Sequence, residues 1–440
     1  MSFQTSKAEQ AEKDIQRSGP WGRLKTYLKA LGPGLITAAS GDDPSGIGTY
    51  SQTGAQFGYA QLWTAFFTFP LQAAIQEICA RIALQTGRGL AANIRKYYPK
   101  PILYFYVALL VIANTITIGA DLGAMAASAQ LLFGLPVLLW LAGMTILTVV
   151  LEIFIPYQLY AKVLRVLTLT LLAYIVGAFF TSQDWGQALR STLIPTFHFD
   201  RDYLFNLVAI LGTTITPYLF FWQASEEVEE EIEEGKTTET QRKGVSKTEL
   251  KWMRTDVTSG AFLSNVVFWF IIVTTASTLN QNGITNIDSA PKAAEALRPV
   301  AGDLAYILFA VGIIGTGLLA VPILAGSAAY AVAEAFKFRE GLSLKPRQAP
   351  LFYSVIAFAT LIGAAINLIG INPISALYYA AVLNGLISPL LLFMIMLIGN
   401  NRKIMQNKTN GRTSNILGWI TTIAMGAAAI ALLVSLGIRK

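Results

Sequence analysis

The sequence has few charged residues and almost no cysteine or histidine. Charged side chains make up 13% of the 440 residues and hydrophobic ones 54%, whereas a soluble globular protein carries about 25% charged residues. The single cysteine, Cys79, excludes an intramolecular disulfide and a cysteine-based metal cage. The single histidine, His198, excludes a zinc site built on several histidines and a histidine relay inside a membrane. The composition therefore indicates a polytopic membrane protein.

The hydrophobic residues are concentrated in eleven long segments. Each is close to or longer than the ~20 apolar residues that a helix needs to cross a bilayer. No short apolar segment with a cleavage site opens the chain, so we predict no removable signal peptide. We predict an all-α protein with eleven transmembrane helices whose partner is the lipid bilayer. The predicted spans are 31–55, 60–84, 102–131, 135–155, 157–181, 203–227, 253–279, 303–336, 351–369, 374–399 and 415–436.

The basic residues predict the orientation. If the N-terminus lies in the cytoplasm, the inside segments hold 27 of the 33 Lys and Arg residues, as the positive-inside rule requires. We predict a multi-pass protein of the plasma (inner) membrane with a cytoplasmic N-terminus and the C-terminus outside. The net charge of +7 then reflects topology, so we predict no nucleic-acid partner. We also expect a monomer without a cofactor.

Two spans in matching positions are broken at a proline. Segment 31–55 is interrupted at Pro44, and segment 204–224 is interrupted at Pro217. Proline removes a backbone donor and disrupts the preceding turn, and freed backbone groups are tolerated at membrane depth only inside protein or beside a wet cavity. A matched pair of broken spans is the best sequence indication of a transporter's binding site. The first break carries two carboxylates, which favours a cation as ligand.

The two broken spans also divide the chain into parts. Each begins a set of five spans, and the two sets enter the membrane from opposite sides, which is the pattern of an inverted repeat. We predict a cytoplasmic tail (1–25) followed by a transmembrane domain (26–436). Within that domain we predict a first repeat (about 31–181), a second repeat (about 203–399), an extra helix (415–436) and a charged cytoplasmic loop (225–254).

Asp43 is the main candidate ligand. A charge at the centre of a span costs about 2.5–3.5 kcal/mol, and no Lys or Arg lies at the centre of a predicted span to pair with it. A transported cation is the simplest partner, although Asp43 or Ser45 could also only cap the second half of the helix. The neighbouring Asp42 is a weaker candidate, because it could face the vestibule or solvent.

The second break supplies oxygen atoms. Thr216 precedes Pro217, and the unwound segment exposes carbonyl groups near Thr213. Carboxylate, hydroxyl and carbonyl oxygens suit Mg²⁺, Ca²⁺ or Mn²⁺ better than copper or zinc. The alternative is that the Thr216 hydroxyl bonds only to its own backbone.

Three other polar features have a structural and a functional interpretation. Glu77 precedes Arg81 by one helical turn, and we favour a structural pair. Asp121 lies in the third span and is a weaker candidate for the transport pathway. Seven glutamates between Glu226 and Glu234 would either raise the cation concentration at the inner mouth or form a solvated helix face.

These residues resemble the NRAMP family of divalent metal transporters over most of the membrane region. The stretch LGPGLITAASGDDPSG is similar to the family's first span, Thr216-Pro217-Tyr218 stands where the family has Met-Pro-His, and residues 113–128 closely match its third span. The resemblance implies the leucine-transporter (APC) fold, a 5+5 inverted repeat in which the broken helices 1 and 6 hold the metal between them.

The departures from the family pattern concern the metal site. Gly46 replaces the family's metal-binding Asn, Thr216 its Met, and Ala376 appears at the position of its helix 10 Gln. Loss of the thioether removes a preference for softer metals, and smaller side chains leave room for a partly hydrated ion. The candidate metal-binding positions are Asp43, Thr216, Asp42, Gly46, Thr213, Tyr218 and Gln223.

Proton-transfer groups of the family are also missing. The helix 6 histidine positions are Tyr218 and Gln223, Ala124 stands where a second helix 3 acid is expected, and helix 9 lacks arginine. Only Asp121 remains. This pattern resembles the NRAMP-related magnesium transporters.

The sequence thus favours a carrier and not an enzyme. We expect alternating-access import of partly hydrated Mg²⁺, and also of Mn²⁺, without proton coupling. The alternatives are a proton-coupled Mn²⁺/Fe²⁺ symporter, a carrier of organic solutes on the same fold, and a membrane enzyme or scaffold. No hydrolase spacing, nucleophile elbow or phosphate loop supports the last of these.

Overall fold

A computed structural model describes residues 41–155 and 169–437 of the chain. The predicted tail (1–25) and the first parts of the spans predicted at 31–55 and 157–181 lie outside these residues. Within them the regular structure is helical. The helices are α1 (Pro44–Phe57), α2 (Trp63–Thr86), α3 (Leu90–Tyr97), α4 (Lys100–Phe133), α5 (Val137–Phe154), α6 (Leu172–Phe180), α7 (Trp185–Leu193), α8 (Arg201–Thr214), α9 (Pro217–Glu233), α10 (Glu239–Arg242), α11 (Lys247–Thr278), α12 (Ala290–Glu295), α13 (Arg298–Ala301), α14 (Ala305–Phe336), α15 (Pro350–Ile366), α16 (Pro373–Asn400), α17 (Arg402–Met405) and α18 (Arg412–Gly437).

Eight described segments are long and apolar enough to cross a membrane, with α8 and α9 counted together. The other three predicted spans correspond to α1, α2 and α6. The first parts of the spans that contain α1 and α6 lie outside the described residues. Helix α2 has 24 residues but includes Glu77 and Arg81. The prediction of an all-helical membrane protein is confirmed.

Both predicted breaks occur at their prolines. Pro44 occupies the first turn of α1 and Pro217 the first turn of α9. Proline is tolerated at this position because the amide hydrogen it lacks would have no partner within the helix. Between α8 and α9, Ile215 and Thr216 leave the helical conformation. The chain therefore exposes backbone groups where α1 begins and where α9 begins.

Helix α4 packs against α14, α15 and α16. Small residues allow these backbones to approach closely: a Cβ atom added to Gly119 of α4 would lie 2.5 Å from the carbonyl oxygen of Gly363 in α15. The side-chain amide of Asn114 donates to the Leu324 carbonyl (2.9 Å) and to the Ser327 hydroxyl (2.7 Å) of α14. These contacts make α4, α14 and α15 a closely packed group.

Helices α8 and α16 also meet through glycine. A Cβ atom on Gly212 would collide with the Ala381 carbonyl and the Gly385 backbone, and one on Gly385 would collide with the Val208 carbonyl. Directly beyond this contact, the Ser388 hydroxyl of α16 donates to the Ile215 carbonyl at 2.9 Å. The end of α8 is therefore held against α16 at the point where the helix breaks.

The stretch predicted as a charged loop, 225–254, is mostly helical. Helix α9 continues to Glu233, and α11 begins at Lys247 behind a capping box formed by Ser246 and Glu249. Glutamate is a good helix former, so the acidic run extends α9 beyond its apolar part. Only residues 234–246 connect the two helices, and they include the short α10.

One end of the bundle, here called the basic end, contains the connections 87–99, 234–246, 337–349 and 401–411. Near it, Arg81 is 2% exposed and its Nε lies 3.1 Å from Oε1 of Glu77. The Arg254 Nε contacts the same oxygen at 3.0 Å. Arg81 also donates to the Lys408 carbonyl and to Asn410, both at 2.8 Å. The predicted Glu77–Arg81 pair is thus confirmed as part of a network that joins α2, α11 and the connection before α18.

Candidate metal site

Asp43 caps α1 with one carboxylate oxygen and contacts α9 with the other. Its Oδ1 accepts the Gly46 amide at 2.7 Å and the Ser45 hydroxyl at 2.6 Å, which caps α1. Its Oδ2 accepts the Tyr218 hydroxyl of α9 at 3.1 Å. The side chain is 1% exposed. Capping therefore occupies one oxygen, and the other faces the second broken helix.

Hydroxyl groups join α1 to the end of α8. The Ser45 and Thr213 hydroxyl oxygens are 3.3 Å apart, and those of Tyr50 and Thr214 are 3.0 Å apart. All four residues are buried. The predicted position Thr213 thus lies beside the cap of Asp43, and a polar layer of oxygen atoms crosses the space between the two breaks.

Thr216 is buried at the start of α9 and forms no side-chain cap. Within the described part of the chain, its hydroxyl has no hydrogen-bond partner. The alternative that this hydroxyl bonds to its own backbone is therefore not what the structure shows. The Ile215 carbonyl accepts the Ser388 hydroxyl, whereas the Thr216 hydroxyl is a buried oxygen at the second break with no such partner in the described chain.

Gly46 lies inside this polar layer. A Cβ atom at this position would lie 3.4 Å from the Thr213 hydroxyl, 3.4 Å from the Tyr50 ring and 3.2 Å from the Gly41 carbonyl. A larger side chain would therefore enter the space between α1 and α8. Glycine leaves that space open while its amide supports Asp43.

Asp42 and Gln223 lie at the edges of the Asp43 group. Asp42 is 6% exposed and accepts the Ser264 hydroxyl of α11 at 2.9 Å, so it faces α11 and not solvent. Gln223 is in α9, two helical turns beyond Thr216, and its amide nitrogen donates to Glu227 at 2.9 Å. The structure thus places Asp43, Thr213, Gly46 and Tyr218 together but directs these two side chains elsewhere.

Asp121 of α4 is more closely involved than the sequence indicates. It is fully buried, and its carboxylate lies close to the backbone of Ser45 and to the carboxylate of Asp43. The Tyr218 hydroxyl lies within the range of its electrostatic field. The spacing between residues 43 and 121 carries no sign of this proximity. Only the burial of an acid inside an apolar span points to a role.

On the side away from the basic end, a cavity of about 290 Å³ approaches α1. Its lining includes Gln52 and Gln56 of α1, Asp202 and Tyr378, and also the basic side chain of Arg201 beside Asp202. Amide and carboxylate groups of this kind can contact a hydrated cation through its water molecules. The cavity thus gives a hydrated ion polar surroundings next to the helix that begins at Asp43.

Across residues 41–155 and 169–437, no three His, Cys, Asp or Glu side chains are arranged to hold a metal ion by themselves. The site is instead one aspartate surrounded by hydroxyl groups. Such an arrangement suits an ion that keeps part of its water shell.

A comparison with known protein families identifies the class of protein to which the chain belongs. The family model described as "Natural resistance-associated macrophage protein-like" (Nramp) matches residues 34–435. The chain belongs to the Nramp family. Two "Divalent metal cation transporter MntH" proteins of Klebsiella pneumoniae strains are 25% identical over 410 residues and 26% identical over 426 residues. The first alignment covers 92% of this chain and 94% of the relative, and the second covers 96% of each.

Solved structures of the Eremococcus coleocola manganese transporter share the fold. One, bound to an aromatic bis-isothiourea compound, superposes with a TM-score of 0.73 at 18% identity and covers 94% of this chain and 87% of the transporter. The nucleobase-cation symporter Mhp1 superposes with a TM-score of 0.54 at 15% identity, covering 92% of this chain and 91% of Mhp1. At these identities the likeness concerns the fold alone, and it confirms the predicted leucine-transporter architecture.

This Nramp chain is a divalent metal transporter and not an enzyme. Nramp transporters move the metal ion as substrate and carry no cofactor. The predictions that the protein is not an enzyme and that it has no cofactor are therefore confirmed.

Proposed function

We propose that this Nramp protein imports Mg²⁺, and also Mn²⁺, as partly hydrated ions by alternating access without proton coupling. The observation that carries the proposal is the donor set at the two breaks. Asp43 presents one carboxylate oxygen toward α9, and the Thr216 hydroxyl is buried without a hydrogen-bond partner in the described chain. Oxygen donors of this kind favour Mg²⁺ over softer metals, and Mg²⁺ retains several waters.

The loss of the family's proton-transfer residues from the described helices supports uncoupled transport. Helix α15 contains no basic residue, Ala124 is buried where the resemblance implies a second acid, and Tyr218 donates its hydroxyl to Asp43. The departures at Gly46, Thr216 and Ala376 place the chain in the magnesium-transporting branch of the family under this proposal.

The proposed movement is that α1 and α9 rock against α4, α5, α14 and α15. The close glycine contact between α4 and α15 and the Asn114 bonds to α14 support a rigid scaffold. We further propose that the protein is a monomer in the plasma membrane. The basic end then faces the cytoplasm, where the N-terminus also lies, and the C-terminus lies outside.

Proteoliposome influx with simultaneous recording of internal pH tests the coupling. We expect Mg²⁺ and Mn²⁺ to enter with no acidification of the interior, because α9 lacks the histidines and α15 the arginines that the family resemblance implies for proton transfer. Liposomes without protein and liposomes with an ionophore give the two reference signals. Acidification that scales with metal entry would overturn uncoupled transport.

A proton-coupled Mn²⁺/Fe²⁺ symporter is the second candidate. It is favoured by one observation, the fully buried Asp121 carboxylate that lies close to Asp43. In that case Mn²⁺ entry would acidify the interior, Mg²⁺ would not move, and Asp121→Asn would remove the pH signal.

Thr216→Met is expected to lower the ratio of Mg²⁺ to Mn²⁺ influx about tenfold. The change removes a hard oxygen and supplies a soft thioether, and losing one hydrogen-bonding group is worth about 1–3 kcal/mol. Competition between the two ions in proteoliposomes measures the ratio. Thr216→Val is the matched control because it deletes the hydroxyl without adding sulfur. An unchanged ratio in the Met variant would show that residue 216 does not contact the ion.

A further inference from the structure

A buried polar face of α9 continues from the site toward the basic end. Thr216, Gln223 and Glu227 are spaced at i, i+7 and i+11, which places them on one side of the helix. All three are buried. With a rise of 1.5 Å per residue, Gln223 lies about 10 Å and Glu227 about 16 Å beyond Thr216 along the axis. An amide and a carboxylate are therefore buried on the side of α9 that leads away from the site.

The neighbouring helices carry polar groups on the same route. Asp42 accepts the Ser264 hydroxyl of α11, and the next residue, Asn265, donates to Gln72 of α2 at 2.7 Å. One turn further along α2, Gln76 is 1% exposed, and both polar atoms of its side chain lack a hydrogen-bond partner among the described residues. Helix α2 packs against both α9 and α11.

Gln223 and Glu227 form the centre of this polar route. The Gln223 nitrogen donates to Oε1 of Glu227 at 2.9 Å, so the amide lies beside the carboxylate. Gln223 is completely buried, and its oxygen has no hydrogen-bond partner within the described chain. An unsatisfied buried amide oxygen costs about 1–3 kcal/mol. A cation, or a water molecule bound to one, would satisfy this atom.

The charge around Glu227 is negative. The charges of Glu230, Asp256 and Glu231 act on its carboxylate. The nearby Lys236 lies 3.1 Å from Glu231, 3.4 Å from Glu249 and 3.8 Å from Glu234. Its charge is therefore shared among three other acids. Glu227 and Asp256 lie on different helices, α9 and α11, and a divalent cation between them would offset their repulsion.

We propose that Glu227 and the side-chain oxygen of Gln223 form a second divalent-cation subsite on the path between Asp43 and the basic end. Asp256 supplies further negative charge, and Gln76 orders water on the same path. The ion leaves Asp43 for this subsite before release, so the inference rests on the proposed transport function. The ligand class is a hydrated divalent cation, which the amide and carboxylate oxygens hold directly or through its water.

A comparison of Glu227→Gln with Glu233→Gln tests the subsite. Both variants remove one negative charge from α9, but Glu227 is buried whereas Glu233 is exposed. In proteoliposomes we expect Glu227→Gln to lower the maximal Mg²⁺ influx about tenfold, a change worth about 1.4 kcal/mol. The external concentration at half-maximal rate should stay within about twofold. Glu233→Gln should match the parent protein, and Glu227→Asp should restore most of the rate.

Equilibrium dialysis with Mn²⁺ measures the number of ions bound per chain, and this number does not depend on transport. The parent protein should bind two Mn²⁺ per chain, Asp43→Asn one, and the double variant Asp43→Asn, Glu227→Gln none. A single Mn²⁺ in the parent and none in Asp43→Asn would overturn the subsite, as would equal influx in the two glutamate variants. Two bound Mn²⁺ without Mg²⁺ influx would refute Mg²⁺ import while retaining the subsite. Thermal unfolding of each purified variant identifies loss of folding.

Discussion

Asp43→Asn is expected to reduce Mg²⁺ influx at least ~30-fold while leaving the protein folded. The carboxylate is buried, and only one of its oxygens serves the cap of α1. Removing one partner of a buried charge pair costs about 2–5 kcal/mol, and each 1.4 kcal/mol is a factor of ten. Asparagine is as good an N-cap as aspartate, so the substitution isolates the charge from the helix start.

Asp42→Asn is the matched control for this experiment. It removes the same charge one residue away, where the carboxylate accepts the Ser264 hydroxyl of α11. An amide oxygen can accept the same bond, so we expect influx within about threefold of the parent protein. Flux measurements should be paired with size-exclusion profiles. Parental influx in Asp43→Asn would remove Asp43 from the site, and equal losses in both variants would indicate a general field effect.

A membrane potential of 100 mV, negative inside, is expected to concentrate Mg²⁺ roughly 2,000-fold inside proteoliposomes. A divalent ion gains about 4.6 kcal/mol per 100 mV, twice the single-charge value, and each 1.36 kcal/mol corresponds to one decade. No other driving force is needed if transport is uncoupled. A potassium diffusion potential sets the voltage, and an internal fluorescent indicator reports the Mg²⁺ concentration at steady state.

The same liposomes at zero potential should reach equal concentrations inside and outside. A pH gradient imposed at zero potential should produce no accumulation. The opposite pattern, in which accumulation follows the pH gradient and is insensitive to voltage, would return the protein to proton-coupled transport, with Asp42, Asp43 or Asp121 as the candidate proton site.

The sequence contains enough information to predict the helices but not how acidic side chains meet. Prolines at 44 and 217 mark the breaks because their effect is local. The stretch 225–254 is predicted as a charged loop because it is polar, yet its first part extends α9 to Glu233, which agrees with the alternative that the glutamates lie on a helix. The polarity of this stretch suggests a loop, but glutamate is a good helix former, and the helix continues through it.

In the candidate site, some features follow from the local sequence and others depend on how distant helices pack. The hydroxyl groups near Thr213 and Thr216 follow from the break itself. By contrast, the bond from Tyr218 to Asp43 and the approach of Asp121 depend on how α1, α4 and α9 cross. Residues that are 78 and 175 positions apart in the chain leave no periodic signal. The orientation of the Asp42 side chain toward Ser264 likewise could not be predicted without knowing where α11 lies.

The glycine contact between α8 and α16 determines which part of the second broken helix can move. Since the two backbones touch at Gly212 and Gly385, neither helix can slide or rotate past the other without a collision. Ser388 fixes the last carbonyl before the break. The first half of this helix is therefore an anchored pivot, and a change in angle must be taken up at Ile215 and Thr216, the two residues without helical structure. Thr216 would then be both a candidate ligand of the ion and part of the hinge of the transport cycle.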